Sequence, residues 1–349
     1  MTIPSNDERR PPVMPRRGRG GVPEKRAISH VKKVVVVSSG KGGVGKSTVS
    51  VNLALALLAT SEKHNPNGKG RKARVGLLDL DIFGPSVPKL MGLEGIGEPE
   101  LTQAGALLPL RNHGISCMSM GFLLPPSSSS GSNADTVVAW RGMMVMKAVQ
   151  QLLFDVDWRR GSNSTTTTIT SKIDASSTAK AKDQPPQGGA GDELDVLVID
   201  MPPGTGDVAL SLGQLVKVDG AVIVSTPQEV ALIDARKGVS MFEKVQVPIV
   251  GMILNMYHFV QPEQPFKVYP LFGSSKAFDE YAESKGLEVL GRLPLEPWIS
   301  QGGDRGLPVV LEEGAVAKGG TLDEYSGRGR RLAREEFLGI SEKVWKSLV

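Results

Sequence analysis

Cysteine is almost absent from this sequence: Cys117 stands alone among 349 residues. A single thiol excludes an internal disulfide framework and a zinc site built from cysteine pairs, and it fits a reducing compartment. Long apolar runs are missing too. Nothing approaches the roughly 18 residues that cross a bilayer, and no apolar core of a secretory signal lies near Met1, so no stable membrane insertion is expected. A surplus of one charge is also lacking over most of the chain. Residues 1–33 hold nine Lys/Arg against three Asp/Glu, a net of +6, so that of the formal +4 the remaining residues carry −2. A near-neutral body offers no nucleic-acid-binding face.

What is present is a sequence of one large domain. Residues 1–30, with Arg9, Arg10, Arg16, Arg17 and Arg19 among several prolines, read as a disordered basic arm. An organelle transit peptide is the alternative, against which Asp7 and Glu8 count. In the body, 31–349, buried β-branched runs recur at Lys33 to Val37, Val75 to Asp79, Ile115 to Met120, Asp195 to Ile199, Ala221 to Ser225, Ile249 to Leu254 and Glu288 to Leu293. Helical patterns fall between them at Ser47 to Ala59, Met143 to Phe154, Val230 to Lys244 and Ser275 to Lys285. Such alternation implies right-handed crossovers: a doubly wound α/β fold, with a mainly parallel sheet of about seven or eight strands and helices on both faces. Two low-complexity insertions, 125–135 and 159–193, cannot bury enough apolar surface to offset their ordering entropy and read as surface loops.

The chemistry begins directly after the first strand. Gly40-Lys41-Gly42-Gly43-Val44-Gly45-Lys46-Ser47-Thr48 fits the phosphate-binding loop pattern G-x-x-x-x-G-K-[ST], between a strand and an apolar helix as that motif requires. Its glycines let successive N–H groups face the phosphates of ATP, Lys46 reaches the β and γ oxygens, and Ser47 ligates Mg²⁺. Lys41 is an additional cation. It is either a solvated loop lysine or a second charge for the transferring phosphoryl group of a facing subunit, which would make slow hydrolysis depend on a homodimer.

Asp79 and Asp81 leave the second strand two residues apart, which is expected to set both carboxylates on one side of the sheet's C-terminal edge, to orient water and the outer shell of Mg²⁺. A helix cap is the plainer reading of either taken alone, and of the two Asp81 is preferred for the water. Asp200 ends the hydrophobic run from Leu194 as an acid for the Mg²⁺ shell. The stretch Met201 to Asp207 after it has the mixed stiffness of a γ-phosphate-sensing loop. Asn255 ends another strand, as a partner for the adenine edge or as a turn cap. His113 and His258 have no metal-binding companions. Leu332 to Val349 reads as a packing helix or a membrane-surface helix.

With these residues in place, the chain resembles the MinD-like deviant P-loop ATPases, and within them the Mrp/NUBPL branch. Asp81 to Ser86, Cys117 to Phe122, Trp140-Arg141-Gly142, Asp200 to Asp207 and Ser225-Thr226-Pro227-Gln228 carry the likeness. The Cys117 segment and Arg19 to Arg26 are most similar to the mitochondrial member that serves respiratory complex I. The resemblance implies a homodimeric ATPase that carries [4Fe-4S] clusters to iron-sulfur apoprotein clients in the mitochondrial matrix, with the cytosol as the alternative. It also implies a Cys-x-x-Cys pair shortly after Asn255, through which two subunits share the cluster. This chain departs from the family there: Gln261 and Gln264 stand at those places, and glutamine amides do not replace thiolates on iron. A cluster-free nucleotide switch for client proteins and a MinD- or ParA-like positioning ATPase are the competing readings.

Overall fold

Strands enclosed on both faces form the centre of the protein. In the computed structural model, residues 24–60, 73–82, 84–123, 142–159, 193–260, 267–311 and 324–348 are described. An eight-stranded sheet runs in the order β10-β7-β6-β1-β5-β2-β4-β3. Its members are β1 (Val31–Ser39), β2 (Val75–Asp79), β3 (Leu110–Asn112), β4 (Ile115–Ser119), β5 (Leu194–Asp200), β6 (Gly220–Ser225), β7 (Ile249–Leu254) and β10 (Val289–Arg292). Every pairing is parallel except that of β3 with β4. Val35, Val36, Val37, Leu197, Val198 and Ile199 are each at most 0% exposed, which is why the central strands read as continuous apolar runs without alternation.

Helices α1 (Lys46–Thr60), α2 (Val87–Leu90), α3 (Gly142–Phe154), α4 (Asp207–Leu215), α5 (Glu229–Lys244), α6 (Lys276–Ser284), α7 (Pro297–Asp304) and α8 (Glu324–Leu348) complete the fold. The C-terminal pattern resolves as packing. Ala333, Phe337, Ile340, Val344 and Leu348 form the buried face of α8, and Ser341 meets Thr60 of α1 at 3.1 Å between hydroxyl oxygens.

Several details differ from the sequence reading. The edge strand β3 and a separate ribbon of β8 (Phe259–Val260) and β9 (Val268–Tyr269) were not expected; each is too short to show a period. Residues 24–30, assigned to the arm, belong to the fold. Arg26 exchanges backbone hydrogen bonds with Leu215 and Lys217, its guanidinium lies 4.3 Å from the Phe154 ring centre, and Lys25 Nζ donates to the Val245 carbonyl at 2.6 Å. A basic residue at the end of α5 complements that helix's exposed carbonyls. The insertion 125–135 lies outside the described residues, as does 159–193 apart from its two ends.

Candidate nucleotide site

The C-terminal ends of β1, β2, β5 and β7 converge on one loop. Gly40 packs so tightly on α5 that a Cβ there would run into the backbone of Asp234. Gly43 and Gly45 take φ values of 81° and 82°, a left-handed conformation that glycine adopts without strain. Two polar side chains brace the curl: Ser39 Oγ donates to the Lys41 carbonyl at 2.9 Å, and Asn255 Nδ2 donates to the Val44 carbonyl at 2.8 Å. Asn255, expected at an adenine edge or a turn, thus has its amide N–H on the loop itself. The Gly204 N–H donates to the Ser39 carbonyl at 2.9 Å, which ties the stretch from Met201 to Asp207 to the same loop.

Below the loop is a charged cluster. Lys46 is 6% exposed and Asp200 0%, and Lys46 Nζ lies 2.9 Å from Asp200 Oδ1. Removing two charges from water is costly unless their remaining valences are met. Here they are: Asp200 accepts Ser47 Oγ at 2.5 Å and Ser50 Oγ at 2.6 Å. Ser47 and Asp200 are hard oxygen donors of the kind Mg²⁺ takes, and the Lys46 ammonium also donates to Ser47 Oγ at 3.2 Å. The donor set fits a magnesium nucleotide. Ser50, one helical turn beyond Lys46, was missed in the sequence; its spacing on α1 was the available signal.

The two acids of the second strand have separate surroundings. Asp81 Oδ2 is 4.0 Å from Lys46 Nζ and partly exposed. Asp79 is 0% exposed, and its carboxyl accepts the Asp81 N–H at 2.9 Å, the Val87 N–H at 3.3 Å and the Ser119 hydroxyl at 2.9 Å. Burial first, then the nearby Asp200 charge, push its pKa up to about 7, against the bonds from Asp81 and Ser119 and the attraction of Lys46. Of the two acids, only Asp81 is partly exposed and near the Lys46 ammonium. Lys41 is half-buried in the loop, and its carbonyl accepts the Ser39 hydroxyl. Thr48 opens the first turn of α1, its carbonyl capped by Asn52 Nδ2 at 2.9 Å.

Among the described residues no side-chain group suited to a cluster accompanies these groups. Cys117 is fully buried in β4, and burial pushes its thiol far above the usual range, so it behaves as a small hydrophobe. Gln261 and Gln264 lie outside the described residues. No group of three His, Cys, Asp or Glu able to hold a metal occurs among the described residues. His113 bonds the Gly306 carbonyl at 2.7 Å, and His258 stands edge-on to Tyr257; burial lowers the pKa of both.

Comparison with known proteins agrees with this geometry. The family model described as "ParA: NUBPL iron-transfer P-loop NTPase" matches residues 30–161 and 189–325. The mouse iron-sulfur cluster transfer protein NUBPL is 43% identical over 306 residues, covering 88% of this chain and 78% of its own. An Arabidopsis thaliana protein named as an iron-sulfur protein required for NADH dehydrogenase, mitochondrial, is 40% identical over 84% of this chain and 76% of its own. Among solved structures, an Archaeoglobus fulgidus nucleotide-binding protein in complex with ADP superposes with a TM-score of 0.58 at 29% identity, covering 84% of this chain and 94% of that one. The Pyrococcus horikoshii septum site-determining protein MinD, at 17% identity and a TM-score of 0.52, shares the fold. With the family match extending over more than half of its length, this chain belongs to the NUBPL iron-transfer P-loop NTPases.

Proposed function

We propose that the chain is a slow, Mg²⁺-dependent ATPase of iron-sulfur cluster assembly or transfer. It acts as a homodimer on apoprotein clients in the mitochondrial matrix, in the service of respiratory complex I. The buried group of Lys46, Ser47, Ser50 and Asp200 beneath a glycine loop is the observation that carries the nucleotide half of this reading. The names of the mouse and Arabidopsis relatives support the iron-sulfur half and the compartment.

Each residue has a distinct task. The N–H groups from Gly42 to Thr48 and the start of α1 receive the phosphates. Lys46, paired with Asp200 in this structure, exchanges part of that attraction for the β and γ oxygens when the nucleotide binds. Ser47, with Asp200 behind it, would hold Mg²⁺, which would supply positive charge to the phosphates. Asp81 orients the attacking water, and Lys41 adds a cation to the γ-phosphoryl group of the facing subunit, where charge develops during transfer.

The cluster is cargo, and this chain's residues do not fit it. Four thiolates are required, and a dimer offers only two copies of the buried Cys117. That single observation favours a second reading, a nucleotide switch that engages client proteins without itself ligating iron. A MinD- or ParA-like positioning role finds no support in the near-neutral body or in α8, whose apolar face is already buried. The deciding experiment combines phosphate release with light scattering. A dimer mass with a non-hydrolysable ATP analogue, a monomer mass with ADP, and measurable hydrolysis are expected, because the Lys41 role needs the γ-phosphate of a partner. A monomer throughout at saturating nucleotide contradicts it.

A further inference from the structure

The Asp79 carboxyl is held by donors from three separate stretches of chain. Asp81 N–H and Val87 N–H come from the two ends of the loop between β2 and α2. Ser119 Oγ comes from the end of β4, 40 residues away in sequence. Ser119 is 0% exposed, and its oxygen accepts the Gly121 N–H at 3.0 Å. With Gly121 as its donor, the Ser119 hydroxyl directs its own hydrogen to Asp79. Gly121 presses on the same loop from the other side. A Cβ there would lie 2.9 Å from Pro88 Cγ and 3.1 Å from Pro85 Cβ, so the turn after β4 and the Asp81–Val87 loop fit together only without a side chain.

The segment clamped in this way is the one that presents Asp81 to Lys46 at 4.0 Å. Asp79 also sits directly across from Asp200 in the β2–β5 register, so the clamp is fixed to the strand that carries the acid beneath the phosphate loop. We propose that Ser119 and Asp79 are positioning residues for Asp81. Ser119 orients the Asp79 carboxyl, and Asp79 holds the Asp81 backbone where its side chain can direct water at the γ-phosphate. This inference rests on the ATPase reading and extends it to β4, a strand outside the nucleotide motifs. Catalytic misplacement by even a fraction of an ångström is costly in rate, so the clamp acts on turnover more than on affinity: Asp81 does not take part in cradling the phosphates.

The test is a double-mutant cycle in the full chain, with ATP affinity and binding stoichiometry from calorimetry and kcat counted per binding-competent site. Ser119→Ala is expected to lower kcat about ten-fold, the rate equivalent of one hydrogen bond, with affinity within about two-fold of wild type. In an Asp81→Ala background, Ser119→Ala should cause no further loss, since residues that act through one another are non-additive. Counting per competent site separates this from a loss of folded protein, and Gly121→Ala, which distorts the clamp without touching a hydrogen bond to Asp79, should reproduce the kcat effect. Equal, independent losses in the two backgrounds overturn the positioning role and leave the ATPase reading intact. Absence of hydrolysis by the wild-type protein overturns both.

Discussion

Asn255 stands between two regions of opposite character. On one side its amide braces the phosphate loop through Val44. On the other, the chain continues into β8 and then into residues outside the described ones, among which the sequence has Gln261 and Gln264 at the places where the family resemblance implies cysteines; beyond them, Val268 of β9 is 59% exposed. The first region is over-determined: backbone hydrogen bonds, glycine conformations and a buried ion pair all fix the same curl. The second depends on four particular atoms, and the sequence lacks them. The nucleotide role proposed for the first region draws on groups from several strands and loops, whereas cluster ligation rests on a few side chains.

If that contrast is right, substitutions in the loop should separate into two effects. Lys41→Ala is expected to lower hydrolysis about 10³-fold, the low end of what a trans-acting cation supplies, while ATP affinity stays within about three-fold. Lys46→Ala should instead weaken ATP binding about 10²-fold, because it also leaves Asp200 buried without its counter-ion. Calorimetry beside a phosphate-release assay distinguishes them. Wild-type turnover in the Lys41→Ala protein removes the facing-subunit role.

A smaller effect tests whether Asn255 belongs to the intact region. Asn255→Ala deletes one buried hydrogen bond to the loop and should weaken nucleotide binding about three- to ten-fold. No change would mean that the curl is held by its glycines alone.

The places of the glycine loop between β1 and α1, and of Asp200 and Asn255 at strand ends, were legible in the sequence because fixed spacing after a strand, or a position at a strand's end, is a local signal; the bond from Asn255 to the Val44 carbonyl was not. The seven long strands were legible for the same reason. Asp79 and Asp81 were read from their spacing as a pair on one side of the chain, with Asp81 preferred for the water; the structure gives them separate surroundings, with Asp79 buried and bonded to Ser119, on a strand that only the folded sheet brings alongside. Ser50 and the buried half of α8 lay within helical periods that pointed at them. The β3 edge, the β8–β9 ribbon and the Lys25–Arg26 latch across the ends of α4 and α5 leave no such trace, since their partners are distant in sequence and each element is only a few residues long.

A separate test concerns pH. Asp79 is raised from 3.8 to about 7, so the folded protein holds a proton that the unfolded chain releases near pH 4. This contribution to stability is fully present below about pH 4 and is lost as pH rises through 7. Asp79→Asn should therefore flatten the fall in denaturation midpoint between those two values, measured as the difference from wild type so that the two histidines cancel. A parallel pair of curves would show that Asp79 does not titrate in this range.

The central claim, an intact nucleotide site beside an absent cluster site, is tested most directly by anaerobic reconstitution with iron and sulfide. After desalting, both elements are counted against protein in wild type, Cys117→Ser and the Gln261→Cys/Gln264→Cys double variant. The account predicts no retained cluster in the first two and a sulfur-to-iron absorption band only in the third. Four irons and four sulfides per dimer in both wild type and Cys117→Ser would contradict it.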